Sequence, residues 1–378
     1  MIILDKNCIR TKDDLLQYKQ IMLYGAGHHA VPIITWLGSK VCYIVDTDEN
    51  KWGIRVCGVP VIAPDVAFVK KNVGGMNKDT AILISSAAFQ YEIAKSIEKY
   101  DVPITQIFAF TNSSLELLRY KPEDIFLHQQ DIQHVLNCLA DDESKEYFVN
   151  YINAIITRNP FYYKNNPNVE ECYQYKAENR TVKLRGGELI FDCGAYNGDT
   201  AKLFLNQTGG NCEMFCFEPF EDSFNELQEW IEKEHINNVR IYKIALGKEK
   251  QVGTIFGDAI YSVTQSLDNK RFDNIASSQQ VEIDSIDNIA CNLTSRSMFI
   301  KMDIEGQEVA ALLGASRTIQ RFRPTMIISA YHKLEDIWEI PQTVLDIAPD
   351  YLVYFGHQPN VPLEPEFIFV LKEYANER

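Results

Sequence analysis

The clearest set of residues that could perform chemistry is the turn Asp192-x-Gly194-x-x-x-Gly198. It follows the apolar run 189–191 and leads into an amphipathic segment that opens with Asp199 and Thr200. A phosphate-binding turn leaves bare amides at the helix N-terminus, whereas Asp199 places a carboxylate there. The turn therefore predicts a nucleotide-like ligand that carries positive charge.

A second acid follows the next apolar run, 214–217, as Glu218-Pro219. An acid at the tip of the second strand of such a unit accepts hydrogen bonds from ribose hydroxyls. Past the third strand, 239–244, an adenine ring could lie against apolar side chains. A ribose-bearing cation fits these features, and S-adenosylmethionine (SAM), with its ammonium and sulfonium groups, is the predicted cofactor. The predicted cofactor-binding residues are Asp192, Gly194, Gly198, Asp199, Thr200, Glu218, Pro219, Ala245 and Leu246.

Three further polar residues follow predicted strands. Asp303 and Glu305 come after the fourth strand, and His332 comes after the fifth. Charged groups at the end of an apolar strand are costly unless they face a ligand crevice. We predict that all three are catalytic, with Asp303 orienting SAM or the acceptor and His332 acting as general base. The alternatives are a non-catalytic imidazole at His332 and a structural Lys301–Glu305 ion pair.

No metal site is predicted. Asp303 and Glu305, without an Asn or a further Asp beside them, are thin support for a divalent cation. The nine cysteines include no C-x-x-C pair, so a zinc site is not expected. Isolated cysteines without a secretory signal indicate reduced core residues in a cytoplasmic protein.

A second glycine turn lies near the N-terminus. Gly25-x-Gly27-x-x-Ala30 stands between an apolar run, 21–24, and a helical pattern, 31–37, and Asp46 ends the following run. This pattern is typical of a dinucleotide or nucleotide-sugar turn, in which His28 could meet a phosphate. The alternative is a degenerate module kept for packing or for a homodimer contact. The unit looks too short for a full six-stranded dinucleotide domain.

The elements that must position these groups divide the chain of 378 residues into three parts. We predict that residues 1–110 form a smaller Rossmann-like α/β domain and that residues 186–378 form a second α/β domain. Residues 111–185 are predicted to be a helical connector between them. Residues 248–278 are expected to be irregular, either a β-hairpin region or a substrate-facing insertion. The turn-rich approach to the final run, 366–371, favours an antiparallel last strand.

Charge and hydropathy exclude several classes of partner. The formal net charge of -15 disfavours nucleic acid and anionic membrane, because both need clustered Lys and Arg. The N-terminus lacks the apolar run of a signal peptide, and no apolar span reaches transmembrane length. A soluble, cytoplasmic protein with a small-molecule or glycan partner is expected.

The C-terminal motifs, taken in order, resemble the FkbM family of SAM-dependent methyltransferases. They are Phe191-Asp-Cys-Gly-Ala-Tyr-Asn-Gly198, Phe217-Glu-Pro219, Ser285-Ile-Asp287, Ile300-Lys-Met-Asp-Ile-Glu-Gly-Gln-Glu308, Leu313-Gly-Ala315 and Tyr331-His332. The resemblance implies a class I methyltransferase fold, a seven-stranded doubly wound sheet, and O-methylation, commonly of a sugar or polyketide hydroxyl.

The N-terminal part resembles the nucleotide-sugar-binding domain of bacterial sugar N-acetyltransferases. Tyr24-Gly-Ala-Gly-His28, Val45-Asp-Thr-Asp48 and Gly58-Val-Pro-Val61 carry this resemblance, which implies a sugar-nucleotide ligand.

The leading hypothesis is thus a SAM-dependent O-methyltransferase that acts on a hydroxyl of a sugar, glycan or related small molecule, as part of polysaccharide biosynthesis. Two alternatives stay open. One is a nucleotide-sugar-binding or scaffold protein with a non-catalytic methyltransferase fold. The other is an NAD-dependent oxidoreductase or epimerase that uses the turn at Gly25 and Gly27.

Overall fold

A computed structural model describes residues 2, 8–68, 78–86, 88–109, 122–164, 171–177, 180–256, 278–294, 297–359 and 361–372. The chain forms two compact units. The first comprises Met1–Leu136, Lys145–Pro167 and His357–Leu363, and the second comprises Asn137–Ser144, Asn168–Gly356 and Glu364–Arg378. The segment predicted as a connector, 111–185, contributes residues to both units.

The first unit contains a six-stranded sheet. Its strands are β1 (Gln20–Tyr24), β2 (Val41–Val45), β3 (Arg55–Val56), β4 (Val59–Ile62), β5 (Thr80–Ile84) and β6 (Ile107–Ala109). The strand order is β3-β4-β2-β1-β5-β6, and only the β3–β4 pair is antiparallel. The expectation that this unit is too short for a full six-stranded dinucleotide domain was wrong in the number of strands, because β3, of only two residues, joins β4 in a hairpin and completes the six.

Four helices contribute to the core of this sheet: α1 (Lys12–Leu16), α2 (Ala30–Leu37), α3 (Pro64–Phe68) and α4 (Gln90–Glu98). They are followed by α5 (Pro122–Leu127), α6 (Gln129–Cys138) and α7 (Asp142–Thr157), and both α6 and α7 cross the division between the units. Short 3₁₀ turns cover Gly38–Lys40, Glu49–Lys51, Ile104–Gln106 and Pro160–Tyr162. In α2 the buried residues are Ala30, Ile33, Ile34 and Leu37. Their spacing gives the helix one apolar face, which packs on β1 and β2.

The second unit is built on a seven-stranded sheet with two smaller sheets beside it. The strands are β7 (Tyr175–Ala177), β8 (Arg180–Val182), β9 (Glu188–Cys193), β10 (Cys212–Phe217), β11 (Val239–Tyr242), β12 (Ala245–Leu246), β13 (Gln251–Phe256), β14 (Ser278–Asp284), β15 (Met298–Met302), β16 (Thr325–Ser329), β17 (Tyr351–His357) and β18 (Pro365–Leu371).

The order in the large sheet is β11-β10-β9-β15-β16-β18-β17. The five strands from β11 to β16 are parallel, and β18 runs antiparallel to β16. Every residue of β9 and of β15 is buried, which explains their continuous apolar runs. These features confirm the predicted fold class: a seven-stranded sheet with an antiparallel last strand, preceded by a smaller α/β unit.

The helices of the second unit differ from prediction at one place. They are α8 (Asp199–Thr208), α9 (Glu221–Lys233), α10 (Ile286–Ala290), α11 (Glu308–Leu313), α12 (Ser316–Phe322) and α13 (Asp336–Ile347). The sequence pattern over 309–320 predicts a single helix, but the chain turns at Gly314, where a Cβ would lie 2.1 Å from the carbonyl oxygen of Gly247. Asp287 then accepts the backbone amides of Arg317 and Thr318 and so starts α12.

Within the region predicted as irregular, β13 pairs antiparallel with β14, as the hairpin alternative requires. Residues 257–277 between them lie outside the described residues. Across the described part of the chain, no helix combines the length and apolar character needed to cross a membrane.

Candidate active site

The glycine turn after β9 is shaped by close backbone packing. Gly194 has φ +82°, and a Cβ on it would lie 1.8 Å from the carbonyl oxygen of Asp303, where the chain leaves β15. Gly198 has φ +86°, and its Cβ would meet Leu227 at 2.8 Å. Both positions therefore require glycine, and the constraint at Gly194 holds the ends of β9 and β15 together.

A buried ion pair lies beneath this turn. Lys301 Nζ is 3.3 Å from Asp192 Oδ1 and donates a 2.7 Å hydrogen bond to the carbonyl oxygen of Gly194. Asp192 Oδ2 accepts the Thr200 hydroxyl at 2.6 Å. Burial lowers the pKa of Lys301, but the charge of Asp192 more than offsets it and the pKa is raised. Lys301 thus pairs with Asp192, and the suggested Lys301–Glu305 pair stays a prediction.

Glu218 follows β10 and lies against the loop of the turn. Its Oε2 accepts the amide of Tyr196 at 2.9 Å, and its Oε1 accepts the amide of Phe220 at 2.8 Å. The side chain is 5% exposed, and no Lys or Arg among the described residues forms an ion pair with it. Burial raises the pKa of Glu218 to about 7, although the two amides oppose the shift. Within the described part of the chain, Glu218 is therefore a carboxylate without a cationic partner.

A cavity of about 350 Å³ opens above these groups. Seven of the nine predicted SAM-binding residues line it, whereas Asp192 and Gly198 lie behind the wall. Its lining residues include Tyr173, Gly194, Tyr196, Asp199, Thr200, Phe217, Glu218, Pro219, Phe220, Ser223, Ile244, Ala245, Leu246, Ile255, Lys301, Asp303, Ile304, Glu305, Gln307 and Tyr331. Four carboxylates face a cavity whose single lysine is already paired, so the wall favours a cationic ligand.

The predicted catalytic residues converge at one end of this cavity. His332 Nε2 is 3.3 Å from Asp303 Oδ1 and 3.8 Å from Glu305 Oε2, while Nδ1 is 2.9 Å from Glu308 Oε1. Asp303 and Glu305 line the cavity, whereas His332 is buried behind them.

Electrostatics at this end do not favour a free imidazole base. Burial lowers the pKa of His332, but Glu308 and Glu305 outweigh it and hold the pKa well above its usual range. Burial likewise opposes ionisation of Asp303, yet His332 and Lys301 lower its pKa to about 2. Without a ligand, the cluster is an imidazolium among carboxylates. The general-base role of His332 stays a prediction.

Sequence reasoning missed three members of the site. Glu308 appeared only as the end of a motif, at a helix start where an acid usually serves as a cap. Tyr331 donates its hydroxyl to Asp303 at 3.2 Å. Tyr173, from the segment predicted as a helical connector, has φ +59° and lines the cavity. The left-handed backbone at Tyr173 is a costly conformation, which no local sequence signal marks.

The N-terminal turn has a different chemistry. Gly25 has φ +118°, while a Cβ on Gly27 would meet nothing within 4 Å. Asp46 accepts the amides of Ala26 and Asp48 at 2.7 and 2.8 Å, and Lys51 Nζ lies 3.1 Å from it. The rings of His28 and His29 lie 3.8 Å apart. These contacts account for Asp46 without a ligand, and the nucleotide-sugar site stays a prediction.

Comparison with known proteins agrees with this fold. Residues 192–358 match the family model for the methyltransferase FkbM domain. The matched residues include nearly all of the C-terminal motifs that resemble this family, and they support the prediction of a methyltransferase. The N-terminal resemblance to sugar N-acetyltransferases stays a prediction. No curated protein matches the chain.

Among solved structures, the crystal structure of methyltransferase FkbM from Methylobacillus flagellatus KT has a TM-score of 0.68 and 20% identity, covering 97% of this chain and 95% of that one. It shows the shared fold. SMU.1697c, a putative methyltransferase from Streptococcus mutans in complex with SAH, has a TM-score of 0.30 and 14% identity, covering 50% of this chain and 91% of that one. Fibrillarin from Aeropyrum pernix with natively bound SAM has a TM-score of 0.31 and 12% identity, covering 50% and 70%.

The cofactor of such a methyltransferase domain is SAM, and the residues present fit it. The unpaired, buried charge of Glu218 faces the cavity, as a carboxylate that accepts ribose hydroxyls should. Ile244, Ala245 and Leu246 supply an apolar wall for adenine, and Asp199 and Asp303 supply negative charge for the ammonium and sulfonium groups.

Proposed function

We propose that this protein is a SAM-dependent O-methyltransferase whose acceptor is a hydroxyl of a sugar, glycan or related small molecule. The observation that carries the proposal is Glu218: a buried carboxylate that faces the cavity and has no cationic partner among the described residues. A polar group this buried is costly unless a ligand completes its hydrogen bonds.

When bound, SAM supplies an electrophilic methyl group. Glu218 would hold the ribose hydroxyls, and Ala245 and Leu246 would contact the adenine. Lys301 keeps the carbonyl of Gly194 and the carboxylate of Asp192 in place, so the turn is organised before the ligand arrives. Such preorganisation lowers the cost of binding.

The acceptor end of the cavity supports a hydroxylated substrate. Asp303 and Glu305 can accept hydrogen bonds from hydroxyl groups, and the rings of Tyr173 and Tyr331 offer flat apolar surface beside them. Tyr331 already holds Asp303, so that carboxylate has a defined orientation. Carboxylates next to aromatic rings suit a polyol better than an apolar acceptor.

The test is calorimetric titration of SAM into the purified full-length protein, followed by mass spectrometry of a panel of glycans and sugar nucleotides incubated with enzyme and SAM. Micromolar SAM binding and a gain of one methyl group on a hydroxylated acceptor are expected. Absence of SAM binding would contradict the proposal and favour the scaffold alternative.

A further inference from the structure

The contacts around His332 are not those of an ordinary hydrogen-bonded imidazole. Its ring is 3% exposed, and Nδ1 contacts Glu308, yet Nε2 makes no hydrogen bond of good geometry among the described residues. A charge-assisted N–H···O bond measures about 2.7–2.9 Å. On the cavity side, Nε2 lies 3.3 Å from Asp303 and 3.8 Å from Glu305. The ring therefore faces two carboxylates without bonding to either.

These separations match those between ligands of one cation. Two atoms that each lie ~2.1 Å from a metal ion are about 3.0 Å apart at a right angle and about 4.2 Å apart when opposite. Both distances from Nε2 fall in this interval. An ion placed between Nε2 and the two carboxylates would satisfy this buried nitrogen, which lacks a well-formed hydrogen bond.

The far side of the ring is built like the outer shell of a metal site. Ligating histidines usually direct their second nitrogen to a carboxylate, which fixes the orientation of the ring. Nδ1 lies 2.9 Å from Glu308 Oε1. That oxygen also accepts the amides of Ile304 and Gly306 at 3.0 and 3.3 Å, so Glu308 is itself held in place.

The backbone of the loop directs its acids to this point. Glu305 has φ +57° and Gly306 has φ +92° between β15 and α11. A left-handed Glu is a costly conformation that persists where surrounding structure enforces it. Ligand atoms of Asp303, Glu308 and His332 lie within 4.8 Å of one another, and Asp303 and Glu305 open onto the cavity.

We propose that His332 Nε2, Asp303 and Glu305 bind a divalent cation, with Glu308 as the positioning residue for His332. One nitrogen and two carboxylates suit a first-row ion such as Mn²⁺ or Zn²⁺ better than an all-oxygen site would. Three protein ligands leave coordination positions open toward the cavity. There the ion would bind the acceptor hydroxyl and lower its pKa. This catalytic use rests on the proposed function, whereas the existence of the site does not.

The test is titration of Mn²⁺ into the SAM-free, full-length protein, with free Mn²⁺ followed by electron paramagnetic resonance. One site tighter than ~1 mM is expected for the wild type. Glu305→Gln removes a ligand on the cavity wall and should weaken binding at least tenfold. Glu308→Gln should weaken it by about 10- to 100-fold through the orientation of His332. Glu229→Gln, an exposed acid on α9, is the matched control and should bind like the wild type.

Thermal unfolding and SAM titration of each variant establish that it is folded. If Glu305→Gln does not fold, Asp303→Asn replaces it in the same experiment. Wild-type protein without a site tighter than ~1 mM, or Glu305→Gln with wild-type affinity, would overturn the proposal. Full methylation after exhaustive chelation would overturn the catalytic use of the ion and leave the methyltransferase proposal standing. Mn²⁺ binding by a protein that does not bind SAM would overturn the methyltransferase proposal and leave the metal site standing.

Discussion

Two turns in this protein share a sequence pattern and differ in electrostatics. Each follows a buried parallel strand, each contains two glycines before a helix, and each has an acid at the end of the next strand. Asp46 accepts two amides and pairs with Lys51. Glu218 also accepts two amides, but no described cation pairs with it.

The pKa values of the two acids move in opposite directions as a result. For Asp46 burial favours the neutral form, but the amides and Lys51 outweigh it and lower the pKa. For Glu218 burial dominates and raises the pKa to about 7. The pattern of glycines and acid therefore predicts a turn, while the neighbouring cation decides whether the acid is free to bind a ligand.

The largest expected effect concerns the glycines. Gly194→Ala places a Cβ against the backbone of Asp303 and forces a left-handed alanine, and it should reduce the free energy of unfolding by about 3–5 kcal/mol. Gly27→Ala meets no atom within 4 Å and should be nearly neutral. Chemical denaturation of both variants gives the comparison. Equal losses would show that the two turns are packed alike.

Replacement of the acids should separate the turns next. Glu218→Ala should weaken SAM binding by about 1–3 kcal/mol, because hydrogen bonds to a charged acceptor are lost. Asp46→Ala removes the matching acid of the other turn and should leave the SAM affinity unchanged. Isothermal titration calorimetry measures both. Unchanged affinity in Glu218→Ala would refute the ribose assignment.

The SAM affinity should also depend on pH through Glu218. If its ionised form accepts the ribose hydroxyls, as proposed, affinity should be highest above a pKa of about 7 and fall as Glu218 becomes protonated. A single titrating group predicts a loss of about tenfold between pH ~8 and pH ~6. The same titrations with Glu218→Gln should show a flat profile over this range. An equally steep profile in that variant would assign the dependence to another group.

The smallest effect is expected at Lys51. Its side chain is 37% exposed, so solvent screens its pairing with Asp46. Lys51→Met should reduce the free energy of unfolding at neutral pH by less than ~1 kcal/mol, because two amides still hold the carboxylate. Denaturation midpoints measure this loss. A loss of several kcal/mol would mean that Lys51, and not the amides, keeps Asp46 ionised.

Much of the fold follows from local patterns that the sequence carries by itself. The apolar runs of β9, β10 and β15 and the glycines at 194 and 198 indicate buried parallel strands joined by a tight turn. The seven-stranded sheet with its antiparallel last strand could be predicted for this reason. Seven of the nine predicted cofactor-binding residues line one cavity, since the ends of parallel strands meet at one edge of a sheet.

Tertiary structure alone decided which charges meet. Lys301 bonds to Gly194, 107 positions away, and Tyr331 to Asp303, 28 positions away. The split of one expected helix into α11 and α12 likewise depends on the backbone of Gly247 against Gly314. Local propensity records only neighbours along the chain, whereas a carboxylate becomes a ligand, a cap or half of an ion pair through groups that folding brings beside it.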